Sequence, residues 1–178
     1  FGSQTGINLP GEVAGIVHPL KKWSKLSISR VPMGHEVAGT PLQIVMMMSA
    51  IANGGRLMQP RVIDRLEDEK GRLVLKYPVK LVRQSISATT AKQVTKALKT
   101  VAAQGGTARR AELDFYTVAG KTGTAQKAGR GGYIPGKYYA SFVGFLPADK
   151  PSLCTLVAVD EPQGDHYGGL VAAPIFKA

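Results

Sequence analysis

The stretch Val118-Ala119-Gly120-Lys121-Thr122-Gly123-Thr124-Ala125 constrains this chain more than any other. Valine and threonine favour an extended strand, and Gly120 and Gly123 leave its surface bare. A glycine inside a strand often marks a place where another backbone or a ligand comes close. Side chains alternate along a strand, so Thr122 and Thr124 share one face and Lys121 and Gly123 the other. The residues predict an edge strand that receives an extended, carboxylate-bearing partner, with Lys121 as the cation beside it. Taken alone, the Lys-Thr-Gly triplet fits a basic turn between two elements equally well, because three-residue motifs recur by chance.

The rest of the chain supplies elements to pack around that strand. Residues 1–30 read as loop with short elements, broken by glycine and proline, with Trp23 as a core anchor. Thr40-Pro41-Leu42-Gln43 is a helix start: Thr40 caps, Pro41 suits the first turn, and Gln43 completes a capping box. The helix runs to about Ala52 and stops at Asn53-Gly54-Gly55. Ile44, Val45, Met46, Met47, Met48 and Ile51 make it apolar all round, which predicts a central helix covered on every side. Part of that cover is expected from residues outside this chain. Residues 61–66 and 72–76 predict a hairpin, and Ser87 to Gln104 a second, amphipathic helix. Gln126 to Lys137, rich in Gly and Lys, reads as a mobile loop at the lip of the site. Tyr138 to Leu146 and Leu153 to Val159 continue the sheet as an antiparallel meander. Gly164 to Gly169 is a turn, and a helix begins at Leu170.

Length and charge narrow the function classes. The chain has 178 residues, enough for one domain with a sizeable core. No apolar run is long enough to span a membrane. The chain opens on Phe1 and closes on Ala178 where a helix starts, so both ends are expected to be cuts inside a larger protein. The net charge of +11 is compatible with nucleic acid, an anionic surface or an acidic substrate. The basic residues are scattered and not interleaved with aromatics, which argues against nucleic acid. Cys154 is the single cysteine and sits in an apolar strand-like run, as a buried, inert thiol does. His35-Glu36 lacks a second histidine at zinc-helix spacing, since position 39 is Gly39, and no metal site is expected.

Several blocks occur in a fixed order: Thr5-Gly6-Ile7-Asn8-Leu9-Pro10-Gly11-Glu12, Thr40-Pro41-Leu42-Gln43, Ala52-Asn53-Gly54-Gly55 and Lys121-Thr122-Gly123-Thr124-Ala125-Gln126. They are followed by Asp160-Glu161-Pro162, Tyr167-Gly168-Gly169 and Ala172-Ala173-Pro174-Ile175-Phe176. In this series, from Phe1 to Phe176, the chain resembles the transpeptidase domain of class B penicillin-binding proteins, nearest the division type. The resemblance implies an α/β (α+β) fold of the penicillin-recognising serine transpeptidase and β-lactamase kind, an antiparallel sheet flanked by helices. It implies a D,D-transpeptidase that cross-links peptidoglycan stem peptides through a serine acyl-enzyme and is inhibited by β-lactams, with no cofactor. By resemblance, Lys121 places positive charge near the substrate carboxylate. The Thr122 and Thr124 hydroxyls hold that carboxylate beside Gly123, and the Thr124 backbone N–H serves as one oxyanion donor. The implied partners are D-Ala-D-Ala stem peptides, β-lactams, the rest of the transpeptidase domain and cell-division or elongation membrane proteins. The implied location is the outer face of the bacterial cytoplasmic membrane.

The family's other two motifs are absent. No serine here has lysine three positions on, and none has asparagine two positions on. Thr89-Thr90-Ala91-Lys92 has the first spacing but falls at the start of the second helix, after the region where the family places its nucleophile. Residues 1–178 are therefore expected to be the C-terminal portion of a single transpeptidase domain, inactive alone. A non-catalytic module that binds peptidoglycan or a division protein on a degenerate version of the fold is the alternative.

Overall fold

The computed structural model describes residues 1–178. The first segment is held by short elements. Strand β1 (Ile16–Val17) lies ahead of helix α1 (Ser27–Arg30) and pairs antiparallel with β2 (Val37–Ala38). The Glu12 carboxylate accepts the Thr5 N–H and hydroxyl, each at 2.5 Å, and these bonds hold its pKa below the ordinary glutamate value. Trp23 does not anchor a core. It is half-buried on a turn flanked by lysines, and its indole N–H is satisfied locally by the His18 carbonyl at 3.0 Å.

Helix α2 (Pro41–Ala52) starts as its sequence predicts. Thr40 Oγ1 accepts the Gln43 N–H at 3.1 Å, and Gln43 Oε1 accepts the Thr40 N–H at 3.0 Å. The Gln43 amide then donates to the carbonyls of Ser3 and Ala14, at 2.8 and 2.9 Å, tying the opening segment to the helix. Met48 and Ala50 are buried, whereas Met47 is 41% exposed. Within residues 1–178 the helix is thus not covered all round, and the sheet lies on one side only. An apolar cleft of about 480 Å³ lies on another side, lined by Met46, Met47, Ile51, Val82 and Val94 among others.

Two antiparallel ribbons follow end to end. Strands β3 (Arg56–Met58), β4 (Arg65–Glu67), β5 (Leu73–Lys76) and β6 (Leu81–Gln84) pair as β4 with β5 and β3 with β6. The first strand of the expected hairpin is shorter than residues 61–66. Pro60 and Pro78 lie between the two ribbons and cannot donate to a ladder. Arg61 to Asp64 instead form a bend closed by an Arg61–Asp64 ion pair at 2.8 Å.

Helix α3 (Ala88–Ala102) is capped by Ser87, whose Oγ accepts the Thr90 N–H at 3.0 Å. The main sheet comprises β7 (Ala119–Gly129), β8 (Gly132–Leu146) and β9 (Leu153–Asp160), all antiparallel in that order. The outer edges of β7 and β9 have no strand partner. Gln126 to Lys137 is not a loop. Both strands run on past Gln126 through a bulge, Ala128 pairs with Tyr133, and the turn is only Arg130-Gly131. Tyr133 and Ile134 favour extended backbone, and cross-strand pairing outweighs the loop-like Gly and Lys content. Helices α4 (Gly168–Val171) and α5 (Ala173–Lys177) close the chain.

The sheet has helices on both faces. Phe142, Val118 and Gly120 face α4 and α5, where Phe142 packs edge-on to Phe176 at 4.8 Å beside Ala172 and Ala173. Val143, Phe145 and Ala119 face Met48 and Ile44 of α2 and Leu98 of α3. Phe142 and Phe145 have no exposed surface, so each face is closed by one aromatic ring. This two-layer cover fixes which way each residue of β7 points.

Candidate active site

The four candidate residues fall together on the unpaired edge strand β7. Lys121 pairs with Val143 and Gly123 with Ser141, on the α2 face. Thr122 pairs with Phe142 and Thr124 with Ala140, on the face of α4 and α5. Lys121 is exposed, and its ammonium donates to the Thr122 carbonyl at 2.9 Å. It takes part in none of the chain's ion pairs. A cation with no carboxylate partner, on an edge that offers free backbone groups, can take an anionic extended ligand.

Both threonine hydroxyls meet residues distant in sequence. Thr122 Oγ1 lies 3.2 Å from Thr107 Oγ1, and Thr124 Oγ1 accepts the Gly168 N–H at 3.2 Å. Gly168 and Gly169 pack directly on backbone: a Cβ on Gly168 would stand 2.1 Å from the Ser141 carbonyl oxygen, and one on Gly169 1.9 Å from that of Thr107. Above Gly123, the Ser141 hydroxyl fills the space that a side chain would take.

Further along β7 the strand is clamped. Lys127 Nζ contacts Asp160 at 2.5 Å and Glu161 at 2.9 Å and sits 4.5 Å from the centre of the Tyr139 ring. Lys137 pairs with the other oxygen of Glu161. Hydrogen bonds from Lys137 and Lys127 hold the Glu161 carboxyl below its ordinary range, and those to Asp160 and Glu161 hold the Lys127 ammonium above its own. The Glu161 N–H donates to the Tyr138 carbonyl at 2.9 Å. Tyr138 stacks on His166 at 4.2 Å, and His166 leans on Tyr167 at 4.4 Å. A row of aromatic rings therefore leads to Gly168 and Thr124. At the far tip of the hairpin, the Tyr133 hydroxyl is 2.9 Å from His35 Nδ1. His35, to which the sequence assigns no role, thus joins the tip to the segment before α2.

Sequence reasoning found the strand but not its supports, Thr107, Ser141, Gly168 and Gly169. The one available signal was the Gly168-Gly169 pair at a helix start, where glycine is unfavourable unless the backbone must come close. Thr89 and Lys92 are exposed on α3, and Lys92 borders a groove with Lys99 and Asp149. The residues present can bind an anion and orient a carbonyl. Residues 1–178 contain no serine in a Ser-x-x-Lys setting to attack it.

The family described as the penicillin binding protein transpeptidase domain matches residues 1–178. Stage V sporulation protein D of Bacillus subtilis is 43% identical over 177 residues, covering 98% of this chain and 27% of that protein. Peptidoglycan D,D-transpeptidase FtsI of Buchnera aphidicola is 35% identical, covering 99% of this chain and 30% of that protein. Among solved structures, penicillin binding protein 3 of Mycobacterium tuberculosis in its apo form superposes with a TM-score of 0.88 at 35% identity, over 99% of this chain and 42% of that one. The same protein has been solved complexed with aztreonam and with ampicillin. The chain thus spans between 27% and 40% of the length of the first three curated relatives.

Proposed function

Because the chain belongs to the class B penicillin-binding protein family, as part of its transpeptidase domain, we propose that residues 1–178 are the C-terminal portion of that single domain in a peptidoglycan D,D-transpeptidase. The observation that carries this reading is the unpaired edge of β7, where the Lys121 ammonium, free of any carboxylate, reaches the Thr122 carbonyl and the Thr122 and Thr124 hydroxyls project from the opposite face. A stem peptide ending in D-Ala-D-Ala lies along this edge as an added strand. Its terminal carboxylate meets the two hydroxyls, which share one face of the strand. Lys121 supplies positive charge, and the Thr124 N–H donates to the oxyanion that forms at the penultimate carbonyl.

The nucleophile is a serine in the rest of the domain. Its Oγ bonds to the penultimate carbonyl carbon as its proton passes to a neighbouring base. The C–N bond to the terminal D-Ala breaks, and that residue leaves as its amine gains a proton. The amine of a second stem peptide then attacks the ester, forming the cross-link and returning the proton to the serine. A β-lactam follows the first step only, since its leaving nitrogen stays tethered. Serine ester chemistry uses no metal or organic cofactor. The cell-division or elongation machinery and the outer face of the cytoplasmic membrane are the setting this activity requires.

The test uses the full-length protein that carries this chain. Acylation by a fluorescent penicillin should be lost or strongly reduced in Lys121→Ala and reduced roughly tenfold to hundredfold in Thr122→Val. Thr89→Ala and Lys92→Ala should acylate at the wild-type rate. A full-length protein that binds stem peptide without ever forming an acyl-enzyme would instead be the non-catalytic module.

A further inference from the structure

The contact between Gly168 and Thr124 has a direction. A backbone N–H can only donate, so in this 3.2 Å bond Thr124 Oγ1 is the acceptor. A hydroxyl has one proton to give, and no other partner in the chain takes it. The Thr124 proton is therefore left for a ligand. At Thr122 the hydroxyl faces another hydroxyl, that of Thr107, and either atom can donate. The two threonines of the strand are thus not equivalent.

The position of the Gly168 amide is set from two sides. Gly168 is buried, and its α-carbon lies against the carbonyls of Ser141 and Gly123, where a Cβ would come within 2.1 and 2.6 Å. The segment leading to it is fixed at its start by Glu161 between Lys127 and Lys137. Near its end, His166 is stacked on Tyr138. Both anchors are side chains or backbone of the same two strands, β7 and β8, that hold Thr124.

We propose that the Gly168 backbone amide is a positioning group that fixes the Thr124 hydroxyl as a hydrogen-bond donor toward the anionic end of the bound ligand. The inference rests on the reading of β7 as the carboxylate-binding strand. It adds a basis for selectivity: a hydroxyl whose acceptor side is occupied favours a carboxylate or sulfonate over a neutral group that must itself donate. Gly168 touches no ligand and acts through Thr124 alone.

A double-mutant cycle in the full-length protein tests this, with the second-order rate of acylation by a fluorescent penicillin as readout. Thr124→Val should slow acylation roughly tenfold to hundredfold. Gly168→Ala should slow it severalfold in the wild-type background and not at all in the Thr124→Val background. It should also narrow the preference for a penicillin acid over its primary amide, in which a donor N–H replaces one acceptor oxygen. The same loss in both backgrounds would overturn the proposal, because a merely structural defect is additive. If Gly168→Ala does not fold, hydrogen exchange of the Gly168 amide decides: it should be protected in wild type and Thr124→Ser and fast in Thr124→Val, and unchanged protection in Thr124→Val refutes the inference. Lys121→Ala separates the two readings. Wild-type acylation in that variant sinks the assignment of the strand, whereas loss there with additive Gly168 and Thr124 effects sinks only the role of Gly168.

Discussion

Replacing Gly120 by alanine should destabilise the sheet from inside the strand that carries the site. Gly120 pairs with Gly144, and the Phe142 ring lies across both. A Cβ on Gly120 would stand 2.5 Å from Phe142 Cζ and 2.8 Å from the Val143 carbonyl oxygen. Carbon atoms pack best at about 3.5–4.0 Å, so ring and backbone must give by about 1 Å. The ring has nowhere to go: Phe142 has no exposed surface and is wedged edge-on against Phe176. Overpacking of this kind costs about 1–3 kcal/mol. Stiffening of the unfolded chain by alanine returns roughly 0.4–1 kcal/mol. The net loss is about 1–2 kcal/mol, or a melting temperature lower by about 2–8 °C. Gly123→Ala is the control, since the only atoms within 4 Å of its Cβ belong to the Ser141 side chain, whose hydroxyl can rotate away. It should lie within about 0.5 kcal/mol of wild type. The assay is calorimetric melting of the full-length protein. Gly120→Ala with Phe142→Leu should be less destabilised than the sum of the two single changes, by about 1 kcal/mol. Equal losses for Gly120→Ala and Gly123→Ala would refute the reasoning, and so would strict additivity with Phe142→Leu.

Three further outcomes are expected. Thr40→Ala removes the capping oxygen of α2 and should lower stability by about 1 kcal/mol in denaturant titration; no change would mean that Gln43 alone holds the helix start. The Glu161 carboxyl is depressed chiefly by Lys137 and then by Lys127, so its stabilising contribution is present above the ordinary glutamate pKa and is lost as pH falls through the depressed value. Acid unfolding should accordingly be less steep below about pH 4 in Glu161→Gln than in wild type, and identical profiles would count against the clamp. The Cys154 thiol is pushed up by burial, so it should react with a disulfide reagent at pH 8 more slowly than a cysteine in an unfolded peptide, and at the peptide rate once urea is added. Fast reaction in the folded protein would show the thiol to be accessible.

What the sequence made legible is what local chemistry decides. Thr40 and Gln43 are three positions apart and cap the same helix end, so their roles are written in adjacent residues. The strand from Ala119 and the meander after it follow from alternation and short connections. The facing of Lys121 and Thr122 needed only the pleat of a strand. Contacts between distant residues were less accessible. Gly168 meets Thr124 across 44 positions, and no periodicity announces such a pair. The hairpin beyond Gln126 was hidden because its glycines and lysines resemble a loop until Tyr133 is placed opposite Ala128. The apolar composition of α2 announced a need for cover but not the side on which Met47 stays exposed.

The outer edge of β9 bears on how this polypeptide behaves in a test tube. From Leu153 to Val159 the strand carries no charge, and Leu153 is 56% exposed. The opposite edge, on β7, is guarded by Lys121 and Lys127, but nothing equivalent protects this one until Asp160. Uncharged, β-branched edges template further strands. Expressed by itself, the stretch should associate edge to edge, which light scattering at rising concentration would register. A charged residue at the exposed Ala158, or a strand supplied to lie beside Leu153–Asp160, is what would keep it monomeric.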